Sequence, residues 1–152
     1  MITQIDLDMM ALAIEQAKKA GELGEVPIGA VIARKGEVIS TGYNLRETDR
    51  NALAHAEILA IDAACKKLGG WRLSGCTLYV TLEPCPMCAG AIINSRIDKV
   101  VFGAFDPKAG SLGSLIDLSK VNYNHSPRLS GGVMAEECSE LLSEFFKSLR
   151  KK

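Results

Sequence analysis

Along residues 6–20, Leu7, Met10, Ala11, Ile14, Ala17 and Lys18 recur at offsets of three and four with polar residues between them. That is the spacing of an amphipathic helix, and Gly21 is its expected stop. After a turn at residues 24–27, the apolar run 28–33 and the loosely alternating segment 37–43 flank Lys35-Gly36. The pattern predicts a β-hairpin whose first strand is interior to a sheet. Residues 54–68, rich in alanine, leucine and isoleucine with charges interspersed, predict a helix ended by Gly69-Gly70. A short β-branched run at 77–82 predicts a strand that stops before Pro84, followed by a helix at 86–95 and a strand at 99–102. Strand, helix, strand in this order is a crossover unit, so this part of the sheet is expected to be parallel. Residues 103–128, rich in Gly, Ser, Asn and Pro around an apolar patch at 115–118, read as a loop region with a short helix. A last helix, 135–149, sets Cys138, Leu141, Leu142, Phe145 and Leu149 near one face. With no repeat, low-complexity tract or linker, residues 1–152 are expected to form a single domain.

Composition narrows the class. Hydrophobic residues at 47% and charged residues at 24% are ordinary for globular proteins and argue against disorder or a membrane protein. The first ten residues carry Asp6 and Asp8 and lack a basic leader followed by an apolar stretch, so no secretory signal is read and a cytoplasmic location is expected. Five cysteines, an odd number in such a chain, are expected as reduced thiols or thiolate ligands and not as a disulfide framework. Lys and Arg total 18, balancing 18 Asp and Glu, so any nucleic-acid surface must be a local one.

Two short patterns carry chemistry: His55-Ala56-Glu57 at the start of one predicted helix, and Pro84-Cys85-Pro86-Met87-Cys88 where a strand meets the next. Each alone is a weak signal; together, on these elements, they are specific. Zinc takes imidazole and thiolate ligands tetrahedrally, and a catalytic site keeps one position open for water. Cys85 and Cys88, three apart at a helix N-terminus, share a face, and the helix dipole and a metal both favour their thiolates. Cys65, Cys76 or Cys138 as a fourth ligand would close the site instead. Glu57, two residues beyond His55, suits a base adjoining the metal, because zinc with two thiolates acidifies water only in part. Without the cysteines, Glu57 reads as a solvated acid in a first helical turn.

At these residues the chain resembles the zinc nucleobase deaminases of the cytidine/deoxycytidylate deaminase superfamily, whose known signature is this same pair of patterns. Within them it resembles the bacterial tRNA-specific adenosine deaminases. The resemblance runs through Glu25-Val-Pro-Ile-Gly-Ala30, His55-Ala-Glu-Ile58, the segment from Thr81 to Gly90, Val101-Phe-Gly-Ala104 with Asp106 and Lys108, Gly113-Ser-Leu115, Asn124-His125 and Leu141 to Phe146, nearly the whole chain. It implies an α/β fold, a three-layer cytidine-deaminase-like sandwich with a central mixed five-stranded sheet and helices on both faces. It also implies a homodimer, one Zn2+ per subunit held by His55, Cys85 and Cys88, and a tRNA anticodon stem-loop as partner. The implied reaction is hydrolysis of adenosine to inosine at the wobble position, by zinc-activated water with Glu57 as proton shuttle.

The same resemblance implies substrate roles for other residues. Asn44 hydrogen-bonds the base, or is an ordinary turn asparagine; Ala56 offers its backbone amide. Asp106 accepts a ribose 2′-hydroxyl, or is a turn residue before Pro107, and Lys108 meets a phosphate. Phe145 and Phe146, with Lys147, Arg150, Lys151 and Lys152, combine aromatic and basic character for a splayed loop, with at least one ring expected in the core. Phe105 departs from the polar residue usual at its position, and Trp71 and His125 read as structural or loop residues. The rivals are a deaminase of a free base or nucleoside, and a zinc-stabilised binding module without catalysis.

Overall fold

The computed structural model describes residues 1–151. Strand β1 (Gly29–Arg34) sends Ala30 and Ile32 to one side and Val31 and Ala33 to the other, none more than 4% exposed. A strand covered on both faces belongs inside a sheet, as its unbroken apolar run predicts. Its neighbours are β2 (Glu37–Tyr43) and β3 (Cys76–Leu82), both antiparallel to it. Beyond β3 lie β4 (Lys99–Ala104) and β5 (Arg128–Ser130), both parallel, giving the order β2-β1-β3-β4-β5. The sheet is thus mixed and five-stranded, and its parallel half is the crossover expected from the pattern.

Helices cover both faces. Helices α2 (Ala56–Leu68) and α3 (Pro86–Asn94) lay Ala56, Ala60, Ala64, Ala89 and Ile92 on Ala30, Ile32, Leu78 and Val80. Helices α1 (Gln4–Glu22) and α4 (Ala135–Arg150) lay Met9, Met10, Ala13 and Cys138 on Val31, Tyr79 and Val101. The result is a three-layer α/β/α sandwich. Among the described residues no helix is long and apolar enough to cross a membrane.

Several boundaries differ from the pattern. Helix α1 begins earlier than expected because Thr3 and Asp6 form a reciprocal capping box. It also runs through Gly21, ending only where Leu23 and Gly24 turn back onto Ala20 and Gly21. Strand β5 lies at the end of the segment read as loop; three residues carry too little alternation to announce it, and pairing with β4 defines it. The short helix expected within residues 103–128 is a 3-10 turn at Leu118–Lys120, capped by the Asp117 carboxylate. In α4, Cys138 is buried, but Phe145 is only half-buried and Phe146 is 44% exposed. The expectation of a core ring therefore fails; the two phenylalanines pack edge-to-face on each other, centroids 5.4 Å apart. Of the basic tail, Lys152 lies outside the described residues.

One close approach fixes the seat of α2. A Cβ on Gly42 of β2 would overlap the Ala56 carbonyl oxygen, so the missing side chain lets the first turn of α2 sit directly on the sheet.

Candidate active site

Two helix N-termini meet at the end of the sheet where β3 finishes. His55 is the N-cap of α2 and Cys85 the N-cap of α3, both with extended backbone and neither capping with its side chain, which frees both for other work. Pro86 fills the first helical position, where its missing N–H costs nothing. His55 Nδ1 lies 3.6 Å from Cys85 Sγ and 3.5 Å from Cys88 Sγ. Tetrahedral zinc, with bonds of about 2.0 Å to nitrogen and 2.3 Å to sulfur, holds such atoms about 3.6 Å apart. The donors therefore stand at the spacing zinc requires before any metal is considered. Among the described residues this trio forms a group able to hold a metal, and Cys65, Cys76 and Cys138 are not part of it. Three protein donors leave one tetrahedral position for water or substrate.

Electrostatics follow from burial. A hydrogen bond from Cys88 pulls the Cys85 thiol down to about 4, and the same bond with burial pushes Cys88 up. The hydrogen bond with Cys85 in turn raises His55 above its ordinary value. Glu57 is 4% exposed, and burial pushes its carboxyl up to about 7, against a hydrogen bond from its own backbone N–H. It is buried and not out in solvent, so the reading as a solvated first-turn acid fails. A carboxyl near neutrality can both take and give a proton at pH 7.

These groups open into a cavity of about 170 Å³ lined also by Val26, Ile28, Asn44, Ala56, Leu82 and Asp106. Since a void of about 150 Å³ takes a benzene ring, there is room for one planar heterocycle between apolar walls. Asn44 is buried; its amide donates to Val26 O and accepts from Arg46 N, leaving one N–H and one lone pair for a ligand. Ala56 is the first residue of α2, where backbone N–H groups lack intrahelical partners. Asp106 is a turn residue, its Oδ1 accepting from Lys108 and Ala109 N–H, and it also lines the cavity. Lys108 and Phe146 are exposed and stand outside the lining. Phe105 is 57% exposed beside Asp106 and packs edge-to-face on Phe102.

Three participants escaped the sequence reading. Arg46 reaches the lining with its side chain about half exposed, a cation at the mouth. Glu25 and Glu83, each 2% exposed, were seen only as letters in longer motifs. Glu25 accepts from the N–H groups of Glu47 and Thr48 and so pins the loop after β2. Glu83 does the same for the loop after β4. Burial opposes their ionisation, but those hydrogen bonds outweigh it and hold both carboxyls below the usual range. An acid abutting an apolar run was the available signal, yet nothing local says what it will accept from.

Comparison with known proteins adds the family. A family model described as MafB19-like deaminase matches residues 5–150. The chain is 59% identical over 152 residues to a tRNA-specific adenosine deaminase of Bacillus subtilis, covering 99% of this chain and 94% of the other. It is 49% identical over 142 residues to one of Aquifex aeolicus, covering 93% of each. A solved structure from a study of A-to-I editing by tRNA:A34 deaminases at the wobble position of transfer RNA superposes with a TM-score of 0.85 at 44% identity. The match covers 89% of this chain and 99% of that one.

Proposed function

The chain belongs to the deaminase family described as MafB19-like and is a hydrolytic deaminase, and from that premise we propose that it converts adenosine to inosine at the wobble position of a tRNA anticodon. The observation that carries this reading is a three-donor His-Cys-Cys site beside a buried carboxylate at the bottom of a cavity sized for one base. The reaction adds water across the carbon that bears the amino group and releases ammonia, so one group must accept a proton and return it.

His55, Cys85 and Cys88 would hold one Zn2+ per subunit; the donor types and spacings suit it. When bound, zinc supplies a Lewis acid that brings water into the range where a carboxylate can deprotonate it. Glu57 is the group that moves protons, first taking one from the attacking water and delivering it to the ring nitrogen next to the reacting carbon. It then takes the second from the hydroxyl now on that carbon and passes it to the amine, which leaves as ammonia. Val26, Ile28 and Leu82 exclude water around the ring, while Asn44 and the Ala56 N–H read its polar edge. The rest of an anticodon stem-loop lies outside the cavity. There Arg46 and Lys108 meet phosphates and Asp106 keeps an oxygen for a ribose 2′-hydroxyl, which a DNA strand lacks. Phe146 presents an exposed ring for stacking.

The chain acts as a homodimer on this reading. The exposed apolar residues Leu115, Ile116 and Val121 flank the 3-10 turn that packs on α3, and a Cβ on Gly90 of α3 would meet open space. A second copy would cover that face; sedimentation as a monomer at working concentration would remove the claim. A single domain over residues 1–152 and a cytoplasmic location complete the reading.

The test is mass-spectrometric detection of inosine after incubation of the zinc-loaded protein with an anticodon stem-loop bearing a wobble adenosine, beside free adenosine, cytidine and guanine. Inosine in the stem-loop is the expected result. Turnover of a free base or nucleoside alone would overturn the substrate.

A further inference from the structure

Glu83 is the residue between the end of β3 and the metal-binding turn, and it is 2% exposed. A buried carboxylate without partners is costly, so its partners reveal what it is for. Oε1 accepts from Asp106 N at 3.1 Å and from the Ser114 hydroxyl; Oε2 accepts from Leu112 N at 3.2 Å and from Ser114 N at 3.0 Å. All four donors belong to the loop after β4, so one side chain gathers both ends of that loop. Around it the backbone is stitched as well: Glu83 N donates to Ala104 O and Ser111 N to Pro84 O, each 2.9 Å. Gly110 completes the cradle, because a Cβ there would collide with the Glu83 carboxylate and with Asp106 O.

We propose that Glu83 is a positioning residue for deamination, a buried anchor that accepts four hydrogen bonds and so holds the 106–114 loop, and with it Asp106, at a set distance from the metal-binding turn. A carboxylate suits this because it carries about four lone-pair sites and no proton to spare. Neighbouring in sequence to Cys85 and bonded in space to Asp106, it makes metal site and substrate loop one rigid unit. Sites held this way depend on sub-ångström support from groups that never touch substrate. The proposal rests on the reading that Asp106 meets the substrate.

Glu83→Gln keeps the volume but, whichever way the amide lies, sets an NH2 against at least one backbone donor: Asp106 N–H on one side, the Leu112 and Ser114 N–H groups on the other. In the zinc-loaded protein, amide exchange of the 106–114 segment is expected to rise about tenfold while the α3 segment stays unchanged. Zinc content stays at the wild-type value. With the wobble-adenosine stem-loop, KM rises about tenfold and kcat holds within about threefold, because the loop's contacts serve ground and transition states alike. Combined with Asp106→Asn, the loss in kcat/KM stays within about threefold of the worse single variant, since both act through one contact. Unchanged exchange in 106–114, loss of zinc together with kcat, or effects that multiply would each overturn the proposal. Should Glu83→Gln not fold, Ser114→Ala removes one donor only and is expected to raise exchange in the same segment by about threefold. The exchange readout needs no substrate, so a wild-type protein that left the stem-loop untouched would refute the substrate reading while the anchoring of the loop by Glu83 was still measured.

Discussion

Replacing Asp6 by alanine tests how the sandwich is held together on the face opposite the site. Asp6 is 5% exposed and serves three partners. It accepts from Thr3 N in the capping box of α1, accepts the Tyr79 hydroxyl at 2.9 Å from β3, and lies 3.7 Å from Lys99 Nζ of β4. Loss of the cap interaction costs about 1 kcal/mol. Stranding the Tyr79 hydroxyl, on a residue 3% exposed, costs about 1–3 kcal/mol. The Lys99 pair, with the lysine side chain only 20% exposed, adds up to about 1 kcal/mol. Asp6→Ala is therefore expected to lose about 2–5 kcal/mol in denaturant unfolding, or roughly 4–20 °C in Tm at about 2–4 °C per kcal/mol. Tyr79→Phe removes the stranded hydroxyl, so the double variant should cost less than the sum of the singles. The sign with pH is determined: Asp6 is held below its ordinary value of 3.8 by hydrogen bonds and Lys99 against the opposing effect of burial. Its contribution is thus full above that value and fades as pH falls through the lower folded value. A loss below 1 kcal/mol at neutral pH, or an advantage over Asp6→Ala that grew in acid, would refute the reasoning.

Glu57→Gln keeps the side-chain volume and removes the proton carrier; kcat for deamination should fall at least about 100-fold with zinc content unchanged, and near wild-type turnover would show that another group moves the protons. Chelation should abolish activity and added zinc restore it, measured as inosine formed; activity in metal-free protein would exclude the His55, Cys85, Cys88 centre as catalytic. Gly42→Ala forces a methyl onto the Ala56 carbonyl, so a loss of about 1–3 kcal/mol in unfolding free energy is expected, together with release of zinc at lower chelator concentration, because the displaced turn carries His55. Unchanged stability and zinc retention would mean that α2 has room to move.

What the linear pattern carried was whatever local chemistry dictates. Apolar runs and their periods placed all four helices and four of five strands, because burial on one face or two imposes its own spacing. The metal trio was legible because the ligand types and the Cys-x-x-Cys spacing belong to zinc chemistry whatever the fold around them. Strand β5 was not, since three residues become a strand only by pairing with β4. The basic and aromatic C-terminus was read in part only: its helix is where the period puts it, but both rings stay at least partly open.

The chain by itself determined which residues could bind a metal, which could carry a proton, and that helices would cover a largely parallel half-sheet. Only the tertiary structure decided that Glu57 is buried, which lifts its carboxyl toward neutrality, and that Glu25 and Glu83 anchor the two loops framing the cavity. The reason is physical: a side chain's identity is local, whereas its solvation and its hydrogen-bond partners come from segments 22 to 31 residues away that meet it only when the sheet has formed.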